Sequence, residues 1–164
     1  MKSRVHKQVS RRFLIKDFHN KRKMEKSIKI IRKQSKDTLQ LSVLGKMEYD
    51  YLATEKQLNG SKEDIKKNWK GLLGTKSDFG LFSNPEVGTV FVCGPLVPLF
   101  LHDLDGKALG EMTAGPYGIL RGLGISEKDV THYLKKLIDC HYLLLIRGKD
   151  KELEEVENRL AKTG

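Results

Sequence analysis

The sequence predicts an α+β fold: a ferredoxin-like antiparallel sheet with helices on one face, an insertion after the second strand and an extra C-terminal helix. One observation predicts it and two more bound it. Apolar residues alternate between helical and strand spacing in the order β-α-β, insertion, β-α-α-β-α. The length of 164 residues suits one domain with a core that needs no disulfide or metal. The two cysteines, Cys93 and Cys140, suit buried thiols in a reducing compartment better than a disulfide framework.

Residues 1–10 show no apolar periodicity and are expected to be a disordered basic arm, followed by a single α+β domain over 11–164. The run RRFLIKDF at 11–18 predicts a buried strand, and Asn20 can cap the helix after it. Residues 21–36 predict that helix, with Met24, Ile28 and Ile31 on its inner face and lysines elsewhere. At 38–44, Leu39, Leu41 and Val43 alternate with Thr38, Gln40 and Ser42, which predicts a half-buried strand ended by Gly45.

Residues 47–86 form the expected insertion. Within it, Ser61 with Asp64 predicts a helix start, and Ile65, Trp69, Leu72 and Leu73 follow at helical spacing until Gly74. Residues 75–85 read as a loop. VGTVFVC at 87–93 predicts a strand, stopped by Gly94-Pro95.

A helix is expected over 107–123, kinked or broken at Pro116. Its signature is a small residue at every fourth position: Gly106, Gly110, Ala114, Gly118 and Gly122. On a helix these share one face, a glycine zipper that lets another backbone approach closely. Ser126 caps a further helix to residue 139, whose face carries Val130, Tyr133, Leu134, Leu137 and Ile138. HYLLLI at 141–146 predicts a strand closed by Gly148. Residues 150–162 predict a last helix with Leu153, Val156 and Leu160 inside. In the usual ferredoxin-like order that last strand lies at an edge, yet it is continuously apolar, so the last helix or a second subunit is expected to cover it.

The formal net charge is +10, and its placement is uneven. Residues 1–36 hold fourteen Lys/Arg against Asp17 and Glu25, or +12, while the remainder is −2. This asymmetry points to an anionic partner, with a solvated arm and helix face as the alternative. The anion-binding candidates are Arg11, Arg12, Lys21, Arg22, Lys26, Lys29, Arg32 and Lys33. Contacts from them would be directed at phosphates and strongly salt-dependent. No uncharged apolar run reaches the length of a membrane-spanning helix, and no apolar run follows the basic start as in a secretory signal.

Catalytic and cofactor signatures do not assemble. The chain has neither G-x-x-x-x-G-K-[ST] nor G-x-G-x-x-G after a strand, and no RNP motif. His102, Asp103 and Asp105 fall short of a metal-ligand set, and a turn explains them equally well. Cys93 sits in an apolar strand, and His132 and His141 have no partner visible in the sequence. No catalytic residue, metal or cofactor is therefore assigned. A ligand pocket between sheet and glycine-rich segment would draw on Gly94, Pro95, Gly115 and Tyr117, since glycines let a ligand approach backbone.

The second half of the chain resembles a bacterial general-stress protein family, induced by heat or low temperature. The matching pieces are Gly94-Pro95-Leu96 after a strand, glycines at four-residue spacing and Gly122-Leu123-Gly124-Ile125. A helix carrying Tyr133, the strand Leu143-Leu144-Leu145 and a charged last helix complete the match. The resemblance implies a stress-type protein of a family whose biochemical role is unknown, with no established catalytic residues to carry over. Lys107, Glu111 and Pro116 interrupt the zipper here, which weakens any membrane role implied by that family's glycine-rich part.

The leading expectation is thus a non-enzymatic, self-associating or partner-binding cytoplasmic protein, a homo-oligomer. The alternatives are a nucleic-acid-binding module using residues 1–36 and a small-molecule-binding or enzymatic ferredoxin-like domain.

Overall fold

A computed structural model describes residues 10–34, 38–47 and 54–163. Apart from Ser10, the expected basic arm lies outside the described residues, as does most of the segment between Met47 and Lys56. The described chain runs β1 (Arg11–Phe18), α1 (Lys21–Gln34), β2 (Gln40–Lys46), α2 (Glu55–Leu73), β3 (Phe79–Asn84) and β4 (Gly88–Cys93). It continues with α3 (Val97–Phe100), β5 (Asp103–Leu104), β6 (Lys107–Ala108), a 3-10 turn (Leu109–Glu111) and α4 (Gly115–Gly122). The chain ends with α5 (Glu127–Ile138), β7 (Tyr142–Lys149) and α6 (Asp150–Thr163).

Five strands form one antiparallel sheet in the order β1-β7-β2-β4-β3, while β5 and β6 pair separately. This is the α+β, ferredoxin-like sheet the sequence predicts. In its split β-α-β unit, β7 lies between β1 and β2: Arg11 faces Lys149 on one side and Gln40 faces Arg147 on the other. The helix cover differs from expectation, because it lies on both faces rather than one. Leu143 and Leu145 of β7 join a core with Ile119 and Leu120 of α4 and Val130 and Leu137 of α5. Leu144 and Ile146 point the other way, into a core with Met24, Ile28 and Ile31 of α1, Trp69 of α2 and Leu153 and Val156 of α6.

This two-sided cover explains why β7 is apolar at consecutive positions. It is an interior strand, not an edge, and Leu143 to Ile146 are each 0% exposed. Full burial of such side chains contributes about 1.5–3 kcal/mol apiece. The chain's own helices provide the cover, so β7 requires no second subunit. For the same reason β2 is not half-buried: Leu41 and Val43 face one core, while Leu44 enters the other. Gly45 does not end β2 but sits within it, where a Cβ would collide with the Phe91 ring.

Three further corrections concern local signals. α2 begins six residues earlier than Ser61, at Glu55, capped by Thr54. The Thr54 Oγ1 accepts from the Gln57 amide at 3.2 Å, and the Gln57 Oε1 accepts from the Thr54 amide at 2.9 Å. The expected loop at 75–85 contains β3, paired along its length with β4. Finally, one helix does not span 107–123. Asp105 (φ 55°) and Gly106 (φ 86°) are both left-handed, so they form the turn of the β5–β6 hairpin. That conformation is incompatible with a right-handed helix and is what an Asp-Gly pair favours. Pro116 lies in the first turn of α4, where no amide is needed, so it starts the helix instead of kinking it.

Candidate functional site

Breaking up the glycine-spaced segment separates its five members. Gly106 belongs to the hairpin turn. Gly110 is buried in the 3-10 turn, where a Cβ would lie 2.9 Å from the Phe82 ring and 3.0 Å from the Phe100 carbonyl. Ala114, Gly118 and Gly122 keep the expected shared face, four residues apart on and just before α4. On that face, Gly118 and Gly122 are not packed against other described residues. A Cβ built on Gly118 or Gly122 meets nothing within 4 Å.

The three small residues instead floor an open groove of about 570 Å³. Its walls include Leu99 from α3, Leu109 and Met112 from the 3-10 turn and its exit, and Leu123 at the end of α4. Leu99 is 38% exposed. No side chain lining the groove carries a charge, hydroxyl or amide, so it discriminates by shape and apolar contact alone.

Asn84 holds this wall in place. It is 5% exposed, and its Nδ2 donates to the carbonyls of Gly110 at 2.9 Å and Met112 at 2.8 Å. Its Oδ1 accepts from the amides of Glu86 at 2.9 Å and Val87 at 3.1 Å. One side chain thus ties the β3–β4 turn to the segment entering α4. Asn84 is not among the residues the sequence motifs single out. Its signal is the Asn84-Pro85 pair, a turn mark with an Asn side chain free to bond the backbone two residues on.

The four ligand-pocket candidates do not converge. Gly94 (φ 112°) is pressed against β2, where a Cβ would lie 2.5 Å from the Leu41 carbonyl. Pro95 borders a separate 190 Å³ hollow with Arg32, Leu39 and Ser77. Gly115 lies beside the Leu109 carbonyl and in the apolar groove, and Tyr117 packs against the core formed by α4 and α5. Close backbone packing accounts for the glycines at 94 and 115.

The eight anion-binding candidates divide. Arg12 pairs with Asp150 of α6, and Arg32 donates to the Leu72 carbonyl at the end of α2. Lys21 lies 3.9 Å from Glu25 and its ammonium stands 5.6 Å from the centre of the Trp69 ring. Arg11 is exposed at the start of β1, and its charge helps hold the Glu152 carboxyl below its ordinary range, after hydrogen bonds from Thr38 and Lys149. Arg22, Lys26, Lys29 and Lys33 remain exposed on α1.

The other polar candidates do not line the groove. His102, Asp103 and Asp105 are exposed around the β5–β6 hairpin, and among the described residues no group of three His, Cys, Asp or Glu is arranged to hold a metal. His132 is exposed, its ring 5.1 Å from that of Tyr133. His141 does have a partner: its Nδ1 lies 3.1 Å from Asp17 Oδ2, and its ring is 4.9 Å from that of His19. The β1–β7 register brings these distant residues together, which no local pattern signals. Tyr133 donates its hydroxyl to the Ile15 carbonyl at 3.0 Å, and burial, with Asp17, Asp129 and Glu157 nearby, raises its pKa. Both cysteines are free. Cys93 is buried as expected, whereas Cys140 is exposed. Burial pushes the Cys93 thiol up to about 11, against a lowering by Lys70, so it stays protonated and is a poor nucleophile.

No family model matches the chain, and no curated protein or solved structure matches it. Among the described residues, no helix is long and apolar enough to cross a membrane.

Proposed function

We propose that this is a non-enzymatic, stress-type cytoplasmic protein that works by association, with the α4 groove receiving a second copy of the chain. One observation carries the proposal: a Cβ placed on Gly118 or Gly122 meets nothing within 4 Å among the described residues, so no internal neighbour requires glycine there. Glycine in a helix costs about 0.5–1 kcal/mol relative to alanine. Gly110 and Gly115 are required by internal neighbours, but these two are not. Close approach of another backbone along Ala114, Gly118 and Gly122 gives them a purpose.

The groove's apolar lining would suit a second copy of itself. It presents a furrow floored by small residues and, beside it, apolar ridges at Leu99, Met112 and Leu123. A two-fold arrangement would place the ridges of one copy in the furrow of the other, burying both at once. The resemblance of the second half to a general-stress family supports the stress-type part of this reading.

Sedimentation velocity over a range of concentrations tests it. The wild type is expected to pass from monomer to dimer, and Gly118→Leu, which places a side chain in the furrow where a Cβ meets nothing within 4 Å, is expected to keep the wild-type melting temperature and remain monomeric. A wild type that stays monomeric at high concentration, or a Gly118→Leu variant that associates equally well, would overturn the proposal.

A further inference from the structure

We propose that α1 is a docking ridge for the phosphate backbone of nucleic acid, independent of the α4 groove. The ridge is formed by Arg22, Lys26, Lys29 and Lys33. They stand at i, i+4, i+7 and i+11, so on a helix of 3.6 residues per turn they fall within about 60° of one another. All four are exposed, and none makes an ion pair with another described residue. From first to last they span about 16 Å along the axis, at 1.5 Å per residue.

The fold itself selects these four. Of the cations the sequence offers in this region, Arg12, Lys21 and Arg32 are engaged with Asp150, Glu25 and the Leu72 carbonyl. Among the described residues, the ridge side chains have no such partner. On the flank facing α6, Lys16, Lys23 and Lys26 line a hollow together with Asp17 and Glu157 and with the apolar Phe18, Ile30 and Leu160. Phosphates are therefore guided along α1 and away from acidic α6, whose sequence carries Glu154, Glu155 and Glu157.

The exposed face of the ridge favours nucleic acid over an anionic membrane. An interfacial helix buries a broad apolar face in lipid. Here the apolar residues Met24, Ile28 and Ile31 are already committed to the protein core. α1 itself carries no aromatic or leucine to insert, and Phe18 and Leu160 lie in the flanking hollow, off the ridge. Recognition would use phosphates and carry little sequence preference.

Counterion release makes the proposal quantitative. Four phosphate contacts to duplex DNA give a slope of about −3.6 in log affinity against log salt, or roughly a 150-fold loss between about 50 and 200 mM. The experiment measures fluorescence anisotropy of a labelled DNA duplex of arbitrary sequence with the full chain. Wild type is expected to show a slope at least that steep. The variant R22Q/K26Q/K29Q/K33Q is expected to keep the wild-type melting temperature, bind far more weakly at low salt and lose about 3.6 from the slope. Absence of binding at low salt would overturn the proposal, as would a variant with the wild-type slope. Preferential binding to phosphatidylserine vesicles over the duplex would also overturn it, in favour of a membrane partner. Gly118→Leu is expected to leave duplex binding unchanged, which separates this surface from the groove.

Discussion

At the residue scale, glycines with the same composition signal have opposite roles, set by what surrounds each one. Gly94 is left-handed and abuts the Leu41 carbonyl, so Gly94→Ala is expected to destabilise the fold by about 1–3 kcal/mol from backbone strain alone. Gly118 has ordinary helical geometry and open space, so Gly118→Ala is expected to stabilise it by about 0.5–1 kcal/mol. Denaturant titration of the two variants checks both signs. Asn84 satisfies four backbone groups, and Asn84→Ala is expected to cost about 3 kcal/mol because buried carbonyls and amides lose their partner. The Cys93 thiol adds a dependence on pH. Its pKa is near 9 when unfolded and raised to about 11 in the fold, so the folded state holds its proton more tightly. That contribution is fully present below pH 9 and is lost as pH rises through 11, by about 2–3 kcal/mol. Unfolding titrations from about pH 8 to 11 are expected to show this slope in the wild type and a shallower one in Cys93→Ala.

At the element scale, caps and turns decide where each segment starts and stops. The Thr54–Gln57 capping box satisfies the first turn of α2, and Thr54→Ala is expected to lower stability by about 1 kcal/mol in thermal unfolding. The helices with strong amphipathic spacing are legible from sequence: α1, α5 and α6 match their predicted spans closely. β1, β4 and β7 are legible from their apolar runs. Sequence reading fails where a local signal competes with a longer pattern. The four-residue glycine spacing suggests a helix reaching back to Gly106, but Asp105-Gly106 is a hairpin turn and it prevails because both residues adopt positive φ. Phe79, Leu81 and Phe82 of β3 lie among Gly80, Ser83 and Asn84, which read as loop residues. Pairing with β4 makes them a strand.

At the scale of the whole molecule, the sheet order governs how much of the site a sequence can reveal. Placing β7 between β1 and β2 explains its unbroken apolar run through helices on both faces, so an uncovered edge no longer argues for a second subunit. The proposal of self-association rests instead on the α4 groove, whose floor is partly legible in Ala114, Gly118 and Gly122. Its walls are not, because Leu99 and Leu109 come together only through α3, the hairpin and the Asn84 hydrogen bonds. The same folding gives Arg12, Lys21 and Arg32 partners and leaves Arg22, Lys26, Lys29 and Lys33 exposed along α1, a division that charge counting alone does not make. Whether the groove is the surface of association is decided by backbone amide NMR during dilution. Concentration-dependent shifts are expected to cluster at Leu99, Ala114, Gly118, Gly122 and Leu123, and to vanish in Gly118→Leu. Spectra unchanged by dilution, or shifts confined to another face, would rule the groove out.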